Sequence, residues 1–159
     1  MKINLYNLFT KVALLSAIVV ATAFVSTQAQ SLAYPITASI PFDFSVADTK
    51  LPAGKYSIAR AKVSSDNSVL SIFDGDGNPK DIRHSIPVSS FNAKDKSTLI
   101  FHRYGDQYFL YQVWSAGETT GRQFLKSRAE REILRSLAAS GKTARKMPVE
   151  TVTVAGVLQ

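Results

Sequence analysis

From Ile36 to Val46 the chain alternates apolar and polar residues. Ile36, Ala38, Ile40, Phe42, Phe44 and Val46 fall on one side, and Thr37, Ser39, Pro41, Asp43 and Ser45 on the other. Period two over this length predicts a strand with one buried face. Pro41 has no amide hydrogen to give to a ladder, so the strand lies at an edge or breaks there. Asp48-Thr49-Lys50 and Leu51-Pro52-Ala53-Gly54 predict turns, and Lys55 to Ala59 the strand that follows.

The next strand is expected from Val69 to Phe73. Asp74-Gly75-Asp76-Gly77-Asn78-Pro79 is dense in residues that tolerate positive φ and predicts a hairpin loop. Asp81 to Val88 returns, with Ile82, His84, Ile86 and Val88 on one face. After a polar turn from Asn92 to Lys96, the runs Thr98 to Arg103 and Gln107 to Trp114 flank Tyr104-Gly105-Asp106. This is the strongest hairpin signal in the chain. With Gly105-Asp106 as the loop, His102 opposes Phe109 and Arg103 opposes Tyr108, where the guanidinium meets an aromatic ring. Large apolar groups on both faces of both strands predict a central position in the sheet.

The period then changes. Ala129, Ile133, Leu134, Leu137 and Ala138 follow helical spacing. Ser127-Arg128-Ala129-Glu130 fits a capping box, in which the serine oxygen takes the Glu130 amide and the Glu130 carboxylate reaches back to the Ser127 amide. Gly141 stands where a terminating glycine belongs, with Lys142 beyond it. A helix is expected from about Arg128 to Ser140, and a last strand from Val149 to Leu158. Short strands followed by one helix predict an all-β fold: an antiparallel β-sandwich or small open barrel with one C-terminal amphipathic helix.

Ahead of this domain, Lys2 and Lys11 flank a short polar start. An apolar run extends from Val12 to Val25 and ends in Ser26-Thr27-Gln28-Ala29. This is the pattern of a secretory signal peptide of bacterial type, with cleavage after Ala29. The run is fourteen residues long, short of the roughly 20 that a spanning helix needs. Residues 1–29 are therefore expected to leave, and residues 30–159 to form one β-rich domain that is secreted or periplasmic. No later segment is apolar enough to span a bilayer as a helix. The chain has no cysteine, which excludes disulfides, a thiol nucleophile and a lipidated cysteine.

The formal net charge of +7 is concentrated in one place. Between Gln30 and Gly121, nine basic residues balance nine acidic ones. Between Arg122 and Lys146 stand Arg122, Lys126, Arg128, Arg131, Arg135, Lys142, Arg145 and Lys146, against Glu130 and Glu132. On a helical wheel Arg128, Arg131, Glu132 and Arg135 face away from Ala129, Ile133, Leu134 and Leu137. Arg128 and Glu132 form an i,i+4 pair. The apolar side is expected on the sheet or on a partner. The basic side is a candidate surface for an anionic glycan, a lipid headgroup or an acidic protein. Export and the lack of a recognition motif argue against nucleic acid.

Catalytic signals are sparse. There is no G-x-S-x-G elbow, S-x-x-K motif, phosphate-binding loop or G-x-G-x-x-G. Two histidines, His84 and His102, with no cysteine make a poor zinc set, and both read as hydrogen-bonded strand residues. Asp74-Gly75-Asp76-Gly77-Asn78 lacks the EF-hand ligand order and its bidentate glutamate, so it reads as a turn rather than a calcium loop. No catalytic residue, metal ligand or cofactor is assigned.

Two segments carry a resemblance. One is Pro41-Phe42-Asp43-Phe44 leading to Leu51-Pro52-Ala53-Gly54-Lys55-Tyr56. The other runs from Leu99 through Arg103-Tyr104-Gly105-Asp106-Gln107-Tyr108 to Leu110, and on to Lys126-Ser127-Arg128-Ala129-Glu130-Arg131-Glu132. Together they resemble a group of uncharacterised exported bacterial small all-β proteins. The resemblance implies an exported small β domain and brings no activity, cofactor or site residue.

The expected function is thus an exported, non-catalytic binding or structural module of the envelope or extracellular space. The alternatives are a secreted or periplasmic hydrolase using His84 or His102, which needs a carboxylate and a hydroxyl beside one of them, and a subunit of an envelope assembly.

Overall fold

The computed structural model describes residues 35–61, 68–139 and 149–158. The leader, with its cleavage site, lies outside the described residues, as do Gly141, Lys142, Arg145 and Lys146. Within them the chain forms strands β1 (Ile36–Ile40), β2 (Phe44–Val46), β3 (Thr49–Leu51), β4 (Gly54–Arg60), β5 (Val69–Asp74), β6 (Pro79–Ser89), β7 (Thr98–Tyr104), β8 (Gln107–Trp114) and β9 (Thr120–Phe124). Helix α1 (Arg128–Ala139) follows, and then β10 (Glu150–Ala155) and β11 (Val157–Leu158).

The strands run β10-β7-β8-β9-β6-β5-β4-β1-β11, an open path of antiparallel pairs and so an all-β fold of the expected kind. Two stretches carry the chain from one half of the fold to the other. β6 pairs with β5 up to His84 and with β9 from Ser85 onward. β10 pairs with β7, and β11, one residue further on, pairs with β1. The residue between them is Gly156, where an added Cβ would stand 2.6 Å from Ile36 Cγ2. A side chain there would collide with the core, so glycine lets the strand pass between the halves. One pairing is parallel: β2 meets β8 at Ser45 and Phe109.

The core lies between the two halves. Ile36, Ile40, Ile58, Leu70 and Ile72 face Val46, Leu99, Phe101 and Val113, and all are fully buried. The alternation of the first segment delivers Ile36, Ala38, Ile40, Phe44 and Val46 to this core. The strand breaks at Pro41, so β1 and β2 join different ladders. Phe42, in the break, stacks on Tyr108 at 4.0 Å and meets the edge of Phe101 at 5.2 Å.

The β7–β8 hairpin has the expected register. His102 opposes Phe109, Arg103 opposes Tyr108, and the guanidinium lies 5.4 Å from the Tyr108 ring centre. Both strands are flanked on each side, as their two apolar faces require. The register shifts between Ile100 and Phe101, leaving Tyr111 as the extra residue of a bulge. At the β5–β6 turn, Asp74 Oδ1 accepts the amides of Asp76 and Asn78, while Oδ2 accepts Asn78 Nδ2 and pairs with Lys80 at 2.8 Å. Lys80, above all, holds the Asp74 carboxyl far below the usual range, with help from the Asn78 amides against some desolvation. Both carboxylate oxygens serve the turn itself, as the hairpin reading expects.

Candidate functional site

Helix α1 meets the outer face of β7, with the start of β10 beside it. Residues alternate along β7: Leu99 and Phe101 enter the core, and His102 and Tyr104 point the other way. The helix meets that second face through Glu130, which is only 4% exposed and is its one fully buried residue. Glu130 Oε1 takes a hydrogen bond from the Tyr104 hydroxyl at 2.9 Å and pairs with His102 Nδ1 at 2.7 Å. Tyr111, displaced by the bulge, stacks on the His102 ring at 3.8 Å. Burial first, and then the adjacent Glu130 carboxylate, push the Tyr104 hydroxyl far above the ordinary phenol range. A carboxylate that is buried and multiply bonded in this way fixes position, because leaving it unpaired would be costly.

Half of the expected capping box forms. The Glu130 amide donates to Ser127 Oγ at 2.9 Å. The Glu130 carboxylate does not return to the Ser127 amide but goes to β7, where two donors await it. The Arg128 amide instead finds Asp48 Oδ1 at 3.3 Å. One signal for this was present in the sequence. On the wheel, Glu130 sits inside the arc spanned by Ile133, Leu134 and Leu137. A charge at the centre of an apolar arc points to a buried partner. Tyr104 and Tyr111 were not singled out, and nothing local to them shows that a helix from farther along the chain lands there.

The rest of the apolar arc is only half-buried, and Ala129 is exposed. Ile133, Leu134 and Leu137 line one side of a cavity of about 460 Å³, closed on the other by Arg103, Tyr104, Gly105, Val149 and Glu150. Arg103 Nη1 and Glu150 Oε1 are 3.2 Å apart at its rim.

The structure divides the basic segment. Lys126, Arg128, Arg131 and Arg135 are exposed together, on or just before helix α1. Arg131 Nη1 folds back onto the Lys126 carbonyl at 2.6 Å, and Arg128 Nε reaches Glu132 at 3.0 Å, the expected i,i+4 pair. Arg122 is not with them. It is buried on β9 and donates from Nε to Ser85 Oγ and from Nη2 to the Ser85 carbonyl. Its charge ties β9 to β6 at the bend, where it has no open face for a ligand. Of the two histidines, His84 is exposed on β6 and His102 lies under the helix.

No family model, curated protein or solved structure matches this chain. What the site does is therefore read from its own geometry. Among the described residues no three His, Asp or Glu side chains gather in a way that would hold a metal ion, and no helix is long and apolar enough to cross a membrane.

Proposed function

We propose that this chain is an exported, non-catalytic binding module of the bacterial envelope, and that helix α1 offers its cationic face to an anionic partner. The observation that carries this reading is the anchoring of Glu130. One buried carboxylate, bonded to His102 and Tyr104, fixes which way the helix is turned. Arg128, Arg131 and Arg135 then point away from the sheet, and the first has a side chain 81% exposed. Cations held on a fixed scaffold attract anions without first ordering a flexible segment. The secretory leader supports a place outside the cytoplasm.

The test is retention on immobilised heparin, a soluble polyanion, across a salt series. The wild-type protein is expected to elute late and progressively earlier as salt screens the contact. Arg128→Ala, Arg131→Ala and Arg135→Ala combined should move elution close to the void. Unchanged retention of that variant would overturn the helix as the contact surface.

One observation favours the hydrolase reading. His102 has a carboxylate on Nδ1 and a hydroxyl in the same cluster, the arrangement by which a base is oriented. The ring is buried beneath α1 and stacked on Tyr111, which suits an anchor better than a base that must reach substrate. Turnover of ester or glycoside probes that disappears in His102→Gln would favour the enzyme.

A further inference from the structure

We infer that the anionic partner is a lipid bilayer surface, engaged by the corner where β6, the end of β9 and the start of α1 meet. This rests on the cationic-helix reading and adds an apolar component that charge alone does not require.

Ile82, His84 and Ile86 share one face of β6 by alternation. Ser85 pairs with Phe124 and Ile86 with Gln123. Leu125 follows the last β9 residue, Phe124, and has the parity of Gln123, which pairs with Ile86. Their side is the outer one, because Gln123 pairs with Gln112, which pairs in turn with Ile100 on the face that bears His102 and the helix. Leu125 is 63% exposed, Ile82 55% and Ile86 44%. Ile86 and Leu125 thus stand in water on this outer side, and Ile82 is exposed just across the bend, on the part of β6 that pairs with β5.

The cations lie beside them. Lys126 adjoins Leu125 in the chain. The Arg131 guanidinium, bonded to the Lys126 carbonyl, is held one residue from Leu125. Arg128 is three residues from Leu125, within about 10 Å along the chain. Three acidic groups are near: Glu132, which Arg128 pairs with, Asp48, which takes the Arg128 amide, and Asp81, which takes the Ile82 amide and pairs with Arg83. Arg131 and Lys126 stay turned to solvent.

Exposed aliphatics rimmed by Lys and Arg match the interface of an anionic membrane. There the headgroups meet the cations and the acyl boundary meets the side chains. A sulfated or acidic glycan would use the cations and leave Leu125, Ile82 and Ile86 idle. None of these residues lines the helix cavity described above, so the corner offers an outward surface rather than a pocket.

The experiment uses the protein as its producing cell exports it, with the N-terminus read by mass spectrometry. It is sedimented with phosphatidylcholine vesicles, with vesicles containing phosphatidylglycerol at one lipid in three, and run in parallel on heparin. Binding is expected to the phosphatidylglycerol vesicles and not to phosphatidylcholine alone. Lys126→Ala with Arg131→Ala should weaken it about fivefold per cation removed. Leu125→Ser with Ile86→Ser should weaken it about tenfold or more while leaving heparin retention unchanged. These two positions are already exposed, so the fold tolerates the change, and an unaltered circular-dichroism spectrum checks it. Vesicle binding indifferent to Leu125→Ser with Ile86→Ser overturns the bilayer inference and leaves the cationic helix standing. Heparin retention without vesicle binding does the same and turns the search to an acidic macromolecule. Loss of both overturns both readings.

Discussion

The two faces of β7 are held to their neighbours by different physics. On the inner face Leu99 and Phe101 are wholly buried among aliphatic and aromatic side chains from both halves of the fold. On the outer face, the attachment of α1 centres on one carboxylate shared by His102 and Tyr104, beside a mostly apolar cavity. Burial is non-directional and accumulates with area. A hydrogen-bonded anchor contributes little net energy but specifies orientation. The inner face therefore sets whether the chain folds, and the outer face sets which way the helix points. The helix is then the first element expected to open locally, since its contacts are few and partly polar.

The largest effect lies on the inner face. Phe101 meets the edges of Phe42 and Phe44 at ring distances of 5.2 and 5.5 Å. Phe101→Ala should cost about 3–5 kcal/mol, seen as an earlier denaturant midpoint for the whole molecule. A loss confined to the helix would contradict the division drawn between the two faces.

Glu130→Ala comes next. It leaves the His102 and Tyr104 donors without their acceptor, at about 2 kcal/mol. The loss should be local. Hydrogen exchange is expected to speed up through residues 128–139 while β4, β5 and β7 keep their protection. Uniform loss of protection would mean that the helix belongs to the same cooperative unit as the core.

The same contrast governs what could be read from the chain. Inner-face features follow from local rules. Alternation placed Ile36, Ala38, Ile40, Phe44 and Val46 inside, and the short loop at Gly105-Asp106 set Arg103 opposite Tyr108, because a loop of known length fixes register. The break at Pro41 followed from the missing amide hydrogen. The outer face depends on contacts between residues far apart in the chain. The Ser127–Glu130 pattern pointed to a local capping box, yet two donors on β7 compete for the Glu130 carboxylate and hold it. Arg122 counted as one more charge of a basic run until its strand parity and the bend of β6 placed it on Ser85. Strand order, and the passage of β10–β11 between the halves at Gly156, leave no trace in periodicity.

Tyr104→Phe sharpens the comparison at smaller cost, about 1 kcal/mol at neutral pH for one hydrogen bond. Its diagnostic is the pH dependence. The folded protein favours the neutral phenol, raising its pKa above the unfolded value. The stability this linkage supplies is complete below the ordinary phenol pKa of about 10 and is lost as pH rises toward the folded value. Wild type should therefore lose stability more steeply than Tyr104→Phe above pH ~10, in denaturant midpoints taken at matched ionic strength. Parallel curves would show that Tyr104 ionises freely and that the anchor is not closed to solvent.

The smallest effect on stability is expected at Arg128. Its side chain pairs with Glu132, and both side chains are mostly exposed, so Arg128→Ala should change the unfolding free energy by less than about 0.5 kcal/mol. The same substitution removes a cation from the face that α1 turns to solvent and should shift heparin elution to lower salt. A residue nearly silent in folding and audible in binding is what the division between faces requires. Glu130 fixes the helix so that its arginines need not contribute to the fold. If Arg128→Ala instead lowered stability as much as Glu130→Ala, the cations would be part of the anchor, and the helix would have no face to spare for a partner.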